Sequence, residues 1–570
     1  MHSVRRLFPV QIKNVKWPRN YSSSASVKKN EYVLRSAYED VPVPNIRLLD
    51  RLWAEAAHFK NHVALVSAET KKSYTYLQLQ NFIGNFATAL LKKLGLKPGD
   101  VIAIAMPNCP EFPVVAFGAI QAGCSVTTVN PVYKEQELSH QLSVTRPKVI
   151  VTIPQSYDTA IKALQLSQLD AKIVIIDNPA DSLPDGVIRY TELAESGGAD
   201  YTLLDKIESK HDDVAVIPFS SGTTGLPKGV EISHKNLLSS MDVMSHEKHC
   251  LAELTTAEHQ DVLPCVLPFF HIYGMVITLL GHLSKGCKLI TMSTFQPGTY
   301  FDILENEKVN LLYVVPPLVI FLGKIPLVTK EHLQHLRYIF TGAAPIAATD
   351  IEALLSKTQP STEFVQGYGA TETASMGSTT YKGSWNRNYG SCGDPMVNFE
   401  MKFINPATGD NVLIGEEGEV CLKSPLVMNG YYKNEGATKD SFTSDGFFKT
   451  GDLGIYKPGA GLYITDRIKE LIKVKGMQVA PAELEGILRC HPAVQDAGVV
   501  GIPHEFYGEV PKAFVILKDE DAEVTAKELQ AFVADKVSDY KEIKEVVFVD
   551  EIPKTASGKI LRRELKRMYL

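Results

Sequence analysis

The sequence predicts an α/β protein in two unequal parts: a large N-terminal compound domain of helix-covered sheets, then a small C-terminal α/β domain. Three observations support this. The chain has 570 residues, too many for one hydrophobic core and enough for a large compound domain plus a small one. From Asn45 onward, helical and strand-like segments alternate, the pattern of parallel strands joined by crossover helices. Past Arg467 the composition changes to short, charged, strongly alternating segments.

Leu79, Phe82, Ile83, Phe86 and Leu90 recur at helical spacing, residues 97–100 read as a turn, and 101–106 as a strand. The pattern then repeats, with a helix over 110–123, a strand over 125–130, a helix over 137–144 and a strand over 148–152. Residues 214–219 form an apolar, β-branched run that predicts a buried strand. Further on, Ser233 suits the N-cap of a helix with Leu237, Met241 and Met244 on one face.

Between that strand and that helix lies 220–229, Ser-Ser-Gly-Thr-Thr-Gly-Leu-Pro-Lys-Gly. Gly222, Gly225 and Gly229 let backbone approach an anion without Cβ interference. Ser220, Ser221, Thr223 and Thr224 supply hydroxyl donors, and Lys228 a full positive charge, so the stretch reads as a polyphosphate loop. The competing reading is a flexible polar linker, but linkers rarely place Pro-Lys between fixed glycines behind a hydrophobic strand. A Walker loop is excluded because Gly229, not Ser or Thr, follows Lys228.

With 45% apolar and 22% charged residues the chain has ordinary globular composition, and a net charge of -6 gives no reason to expect nucleic acid as a partner. The eight cysteines form no CxxC pairs, which signals neither a zinc site nor a disulfide framework. No apolar run is long enough for an integral membrane segment; the best, 309–322, is interrupted by Asn310, Pro316 and Pro317. Residues 1–30 hold seven basic residues (Arg5, Arg6, Lys13, Lys16, Arg19, Lys28 and Lys29), serines at 22–24 and no acidic residue, the composition of a mitochondrial transit peptide. Arg19-Asn20-Tyr21-Ser22 also resembles a matrix-protease cleavage site, and the chain ends Met568-Tyr569-Leu570 rather than in a peroxisomal Ser-Lys-Leu. The matrix is the expected location, with cytoplasm or peroxisome, and a merely basic disordered tail, as alternatives.

The decapeptide, followed by Val230 and Ser233-His234-Lys235, resembles the signature loop of the adenylate-forming superfamily, which contains acyl-CoA synthetases, coumarate-CoA ligases, beetle luciferases and peptide-synthetase adenylation domains. Further motifs follow in the family's order, so the resemblance runs from about residue 31 to the C-terminus, and the motifs are most similar to those of coumarate-CoA ligase-like acyl-CoA synthetases. It implies an adenylation domain over 31–465, a hinge at 466–469 pivoting on Lys469, and a mobile lid over 470–570. The implied activity is an ATP-dependent carboxylic acid-CoA ligase with magnesium, making an acyl-AMP and then a thioester of coenzyme A. A luciferase-type oxygenase and a stand-alone enzyme loading a carrier protein are the alternatives.

By the same resemblance, Gln366-Gly367-Tyr368-Gly369-Ala370-Thr371-Glu372 brings backbone and the Tyr368 ring to the nucleotide, Thr371 to the α-phosphate and Glu372 to magnesium. Ala343, Ala344 and Pro345 should lie against adenine, Asp452 against the ribose hydroxyls, and Arg467 against the nucleotide. His271 and Tyr273, in Phe270-His271-Ile272-Tyr273, should border the acyl pocket together with Gly367, Ala370, Ser375 and Met376. A neutral or cationic His271 would orient the reacting carboxylate, although a lone histidine in an apolar run is otherwise a core residue. Lys559 matches the family's adenylation lysine; Lys473, Lys475, Gly476 and Gln478 match the opposite lid face, with Gly476 at the pantetheine channel. Ala374-Ser375-Met376 replaces the Gly-Pro-Val of many coumarate ligases, so a fatty acid is expected ahead of a hydroxycinnamate, with other arylalkenoic acids still open.

Overall fold

A computed structural model describes residues 32–178, 180–220, 227–384, 389–474, 477–504, 507–519, 523–537, 539–555 and 558–570. The expected transit segment 1–30 lies outside the described residues, as do Ser221, Gly222, Thr223, Thr224, Gly225, Lys475 and Gly476.

The predicted βα alternation forms a nine-stranded sheet. Val214–Val216, Ser125–Thr128, Val101–Ala105, Val149–Thr152, Lys172–Ile175 and Ile188–Arg189 lie side by side in parallel. Val101–Ala105 is buried at every position, as a strand covered on both faces should be. The covering helix Tyr76–Lys92 starts at a Thr75–Gln78 capping box and packs on the helix Glu111–Gln121. Its Leu79, Ile83, Phe86 and Leu90 are fully buried, whereas Phe82 is only partly so.

The phosphate loop departs from expectation. The predicted strand 214–219 breaks after Val216 around Pro218, which has no N–H for the ladder. Phe219–Ser220 then pairs antiparallel with Lys228–Ser233, so a strand, where the sequence predicts none, follows the loop before the helix. The helix His234–Ser245 follows, capped by Ser233 with Asn236 as expected. Gly430–Tyr431 adds to the outer side of the hairpin, with Tyr431 opposite Val230.

Two further sheets extend the large part. One pairs Val262–Cys265, Lys288–Thr291 and Val63–Ser67 in parallel; the other pairs Leu311–Val314, Tyr338–Thr341 and Glu363–Tyr368 in parallel. The sheet built from Val33–Arg35, Glu400–Ile404, Asn411–Val412, Gly418–Lys423, Phe448–Lys457 and Gly461–Arg467 is antiparallel. Gly461–Arg467 stays paired to its end, Asp452 opposite Arg467. Asp466 and Arg467 are therefore sheet residues, and of the expected hinge 466–469 only Ile468 and Lys469 lie beyond the strand.

The C-terminal part has its own sheet, Met477–Val479, Ile472–Val474, Gly508–Leu517, Val494–His504 and Glu545–Phe548. Helices Pro481–Arg489 and Ala526–Ala534 cover it, closing a core around Leu484, Leu488, Val499, Val515 and Leu529.

Candidate active site

One cavity of about 710 Å³ lies among the loop hairpin, the C-terminal ends of the Tyr338–Thr341 and Glu363–Tyr368 strands, and the tip of the small domain. Crevices beyond the carboxyl ends of parallel strands are where α/β sheets bind ligands. The cavity has a charged end and an apolar end.

At the charged end Ser220, Lys228, Thr371 and Glu372 converge as the sequence predicts, joined by Tyr431, which it did not. Ser220 Oγ donates to Glu372 Oε1 at 2.8 Å, and the Tyr431 hydroxyl donates to the same oxygen at 3.0 Å. Lys228 Nζ sits 4.0 Å from the centroid of the Tyr431 ring. Burial pushes the Lys228 ammonium below its ordinary pKa against the opposing pull of Glu372. Met428 N donates to the Glu372 carbonyl at 2.8 Å and fixes the turn.

Among the described residues no group of three His, Cys, Asp or Glu forms a cage for a metal. A single carboxylate suits magnesium, which takes most of its ligands from phosphates and water. Among the described residues nothing donates to Glu372 Oε2, so the donor set fits the expected ion.

Several expected nucleotide contacts are turned inward. Tyr368, expected as a stacking face, donates its hydroxyl to Asp452 Oδ2 at 2.7 Å, and Arg467 Nε lies 2.9 Å from Asp452 Oδ1. Asp452 is 4% exposed and is not part of the cavity wall. Its carboxylate orients Arg467, which does line the cavity. Gln366 also lies behind the wall, accepting from Gly390 N at 3.3 Å. Gly342 and Ala343 reach the cavity, whereas Ala344 and Pro345 do not. Glu419, absent from the sequence reading, lines the cavity and accepts from Gly451 N at 3.0 Å, holding the turn before Asp452.

Lys559 reaches the cavity from a turn closed by Thr555 N to Lys559 O and Gly558 N to Thr555 O, both 2.8 Å. Its Nζ lies 3.4 Å from Glu470 Oε1, while Arg562 donates to Glu470 Oε2 at 2.6 Å. Burial, then the Arg467 charge, push Lys559 below the ordinary lysine pKa against the pull of Glu470 and Asp452. Gly558 has φ +82°, and a Cβ there would stand 2.7 Å from Pro317 Cδ. Lys469, the expected pivot, also lines the cavity. Lys473 is exposed and outside it, paired across the ladder with Gln478.

The apolar end is walled by Tyr273, Ile277, Val315, Phe340 and Met376, with Gly367, Gly369, Ala370 and Ser375 alongside. Tyr273–Gly281 is a π-helix, a rare winding frequent at functional sites. It sets Tyr273 edge-on to Phe340, with centroids 5.9 Å apart. The Ser375 hydroxyl is paired with Ser240 at 2.9 Å. A Cβ at Gly367 would come within 2.6 Å of Phe340 Cζ and 2.9 Å of Met376 Sδ, so the absent side chain is part of the space.

His271 also lines the cavity. Burial pushes its pKa down to about 4, so of the two expected forms the ring is neutral at pH 7. Its Nδ1 accepts from Tyr273 N at 3.2 Å, leaving the proton on Nε2.

A charged end opening onto an apolar one, under a small α/β domain that inserts a lysine, defines a two-part α/β enzyme that activates an acid with a nucleotide. The AMP-binding enzyme family model matches residues 52–432 and the AMP-binding enzyme C-terminal domain model matches 483–559; the chain belongs to this family. It is 35% identical over 548 residues to 4-coumarate–CoA ligase 1 of Arabidopsis thaliana, covering 94% of this chain and 95% of that one. With 4-coumarate–CoA ligase of Pinus taeda it shares 36% over 551 residues, covering 95% and 98%. Among solved structures, ATP-bound MatB from Rhodopseudomonas palustris superposes with a TM-score of 0.81 at 27% identity, covering 92% of this chain and 98% of that one.

Proposed function

We infer that the protein joins a carboxylic acid to coenzyme A at the expense of ATP, through an acyl-AMP. The observation that carries this reading is that one cavity holds Lys228, Glu372, Arg467 and Lys559 together with Tyr273, Phe340 and Met376. In the first step a carboxylate oxygen bonds to the α-phosphorus and the bond to pyrophosphate breaks. Two anions must meet, so the barrier is chiefly electrostatic. Lys228 and the loop hydroxyls oppose charge on the phosphates, Thr371 binds the α-phosphate, Arg467 fixes the nucleoside, and Lys559 reaches the carboxylate. His271 donates Nε2–H to the acid without adding charge. Magnesium, when bound by Glu372, supplies positive charge to the phosphate oxygens.

In the second step the thiol of coenzyme A loses its proton, its sulfur bonds to the acyl carbon, and AMP leaves. The Lys559 end of the lid is then dispensable. Rotation about Lys469 would replace it with the surface carrying Lys473, Lys475, Gly476 and Gln478.

The acid is a fatty or arylalkenoic acid. Tyr273, Ile277, Val315, Phe340 and Met376 offer an apolar wall, and the Ser375 hydroxyl is already engaged with Ser240. An aliphatic chain or unsubstituted ring therefore suits the site better than a ring bearing hydroxyls, whose desolvation would go uncompensated. Residues 1–30 direct the enzyme to the mitochondrial matrix; a fluorescent protein fused to them and found in the cytosol would overturn that assignment.

The deciding experiment incubates the enzyme with ATP, magnesium and a panel of aliphatic and aromatic acids, with and without coenzyme A. Acyl-CoA formed from one acid class, with pyrophosphate released, is the expected result. Pyrophosphate release with no thioester product would reject the ligase reading.

A further inference from the structure

We propose that Tyr431 is a positioning residue that couples the two protein charges acting on the nucleotide phosphates, its ring holding Lys228 and its hydroxyl orienting Glu372. This rests on the nucleotide assignment of the charged end, though not on which acid is activated.

Lys228 projects from the strand Lys228–Ser233, Glu372 from the turn Thr371–Thr373, and Tyr431 from the two-residue strand Gly430–Tyr431. No sequence proximity links them. The pairing of Tyr431 with Val230 brings the tyrosine beside the loop, and its own N–H is anchored on Thr438 Oγ1 at 2.8 Å. Tyr431 is 9% exposed, with its ring centroid 4.0 Å from Lys228 Nζ and its hydroxyl 3.0 Å from Glu372 Oε1.

A buried tyrosine that merely filled space would need one hydrogen bond for its hydroxyl. This one faces a cation with its ring and an anion with its hydroxyl, and the consequence is electrostatic. Among the described residues no carboxylate lies within 4.0 Å of Lys228 Nζ. A carboxylate partner would hold the lysine but cancel its charge, whereas the face of a neutral ring attracts the ammonium and leaves that charge available to an incoming phosphate. On the other side, Tyr431 and Ser220 both donate to Oε1. The carboxylate is thereby rotationally fixed, with Oε2 left for a cation shared with the phosphates. One side chain thus keeps an unneutralised lysine and a half-engaged carboxylate close together without their closing into an ion pair.

The two contacts separate by substitution. Tyr431→Phe keeps the ring and removes the hydroxyl; Tyr431→Leu removes both. Binding of a non-hydrolysable ATP analogue, measured by calorimetry with and without magnesium, needs no acid and no turnover. Tyr431→Phe is expected to weaken binding about threefold to tenfold in magnesium and less than twofold without it, because only metal orientation is lost. Tyr431→Leu is expected to weaken binding about tenfold even without metal. On a Lys228→Gln background, Tyr431→Leu should then change metal-free binding less than twofold, since its partner is gone. Equal weakening by Phe and Leu, a full Leu effect without Lys228, or a Phe effect independent of magnesium would overturn the proposal. Failure of every acid to give a thioester while these binding differences persist would reject the ligase reading and leave the role of Tyr431 standing.

Discussion

Replacing Gly558 by alanine tests whether the observed seating of the lid is the one that activates the acid. The new Cβ would stand 2.7 Å from Cδ and 2.8 Å from Cγ of Pro317, closer than real contacts allow. Pro317 belongs to the first turn of the helix Pro316–Lys324 and its ring cannot rotate away, so the turn bearing Lys559 must back out of the cavity. Overpacking of this kind costs about 2 kcal/mol, which reduces the population of the seated lid roughly thirtyfold. The positive φ of +82° adds a separate strain of about 1–2 kcal/mol, local to the turn and present wherever the lid sits. The two terms have different readouts. ATP–pyrophosphate exchange should fall roughly thirtyfold, while thioester formation from supplied acyl-AMP changes little. Adding Pro317→Ala should restore most of the exchange but none of the lost thermal stability. Parallel loss in both half-reactions, or an exchange rate that Pro317→Ala leaves unrescued, would refute the reasoning.

Lys559→Ala should lower pyrophosphate exchange by about 10²–10³-fold and spare the second half-reaction; loss of both in equal measure would remove the lysine from its assigned step. Gly367→Ala should narrow the acyl end by driving a methyl towards Phe340 and Met376, cutting kcat/KM for long or bulky acids roughly tenfold or more while sparing short ones; a uniform loss across chain lengths would contradict this. Gly369→Ala, whose Cβ would fall 2.0 Å from the Ser375 carbonyl oxygen, meets backbone that cannot yield, and should give little folded protein by circular dichroism. Burial depresses the imidazoles of His234, His249 and His282 to about 4, 3 and 4. Each binds its proton more weakly when folded than when unfolded, near 6.5. Their contribution is therefore whole above pH 6.5 and declines as the pH falls, through about 4 for His234 and His282 and about 3 for His249. The unfolding midpoint should drop between pH 7 and 5, and one that stays level or rises would contradict the assignment.

What the sequence made legible was local chemistry. Glycines, hydroxyls and a lysine behind an apolar run mark a phosphate loop, and Thr371-Glu372 and Lys559 announce themselves by family motif; Ser220, Lys228, Thr371, Glu372 and Lys559 do meet at one cavity, whereas Gly229 lies outside it, packed against Ile217, Phe219 and Tyr432. Partnership was not legible. Nothing near Tyr368 or Asp452 reveals that they face each other and leave the nucleotide side to Arg467. Tyr431 carries no local signal, because its place beside the loop follows from strand register between distant segments. The strand Lys228–Ser233 was missed for a related reason: only Val230 and Ile232 carry its apolar pattern, too short a run to outweigh the polar residues around them. The π-helical winding of Tyr273–Gly281 is likewise invisible in a run that is apolar all round.

The short strand Gly430–Tyr431 also imposes an order on the birth of the enzyme. The loop hairpin is synthesised early, yet its outer edge stays open until residues far downstream have left the ribosome and paired with it. Until then the growing chain holds a phosphate loop whose lysine has no platform and a sheet edge free to pair with other chains. Competence to bind nucleotide thus arrives together with protection of that edge. A fragment ending at residue 425 should neither retain MgATP on a filter nor stay monomeric in sedimentation, while one ending at residue 467, with the antiparallel sheet complete, should do both.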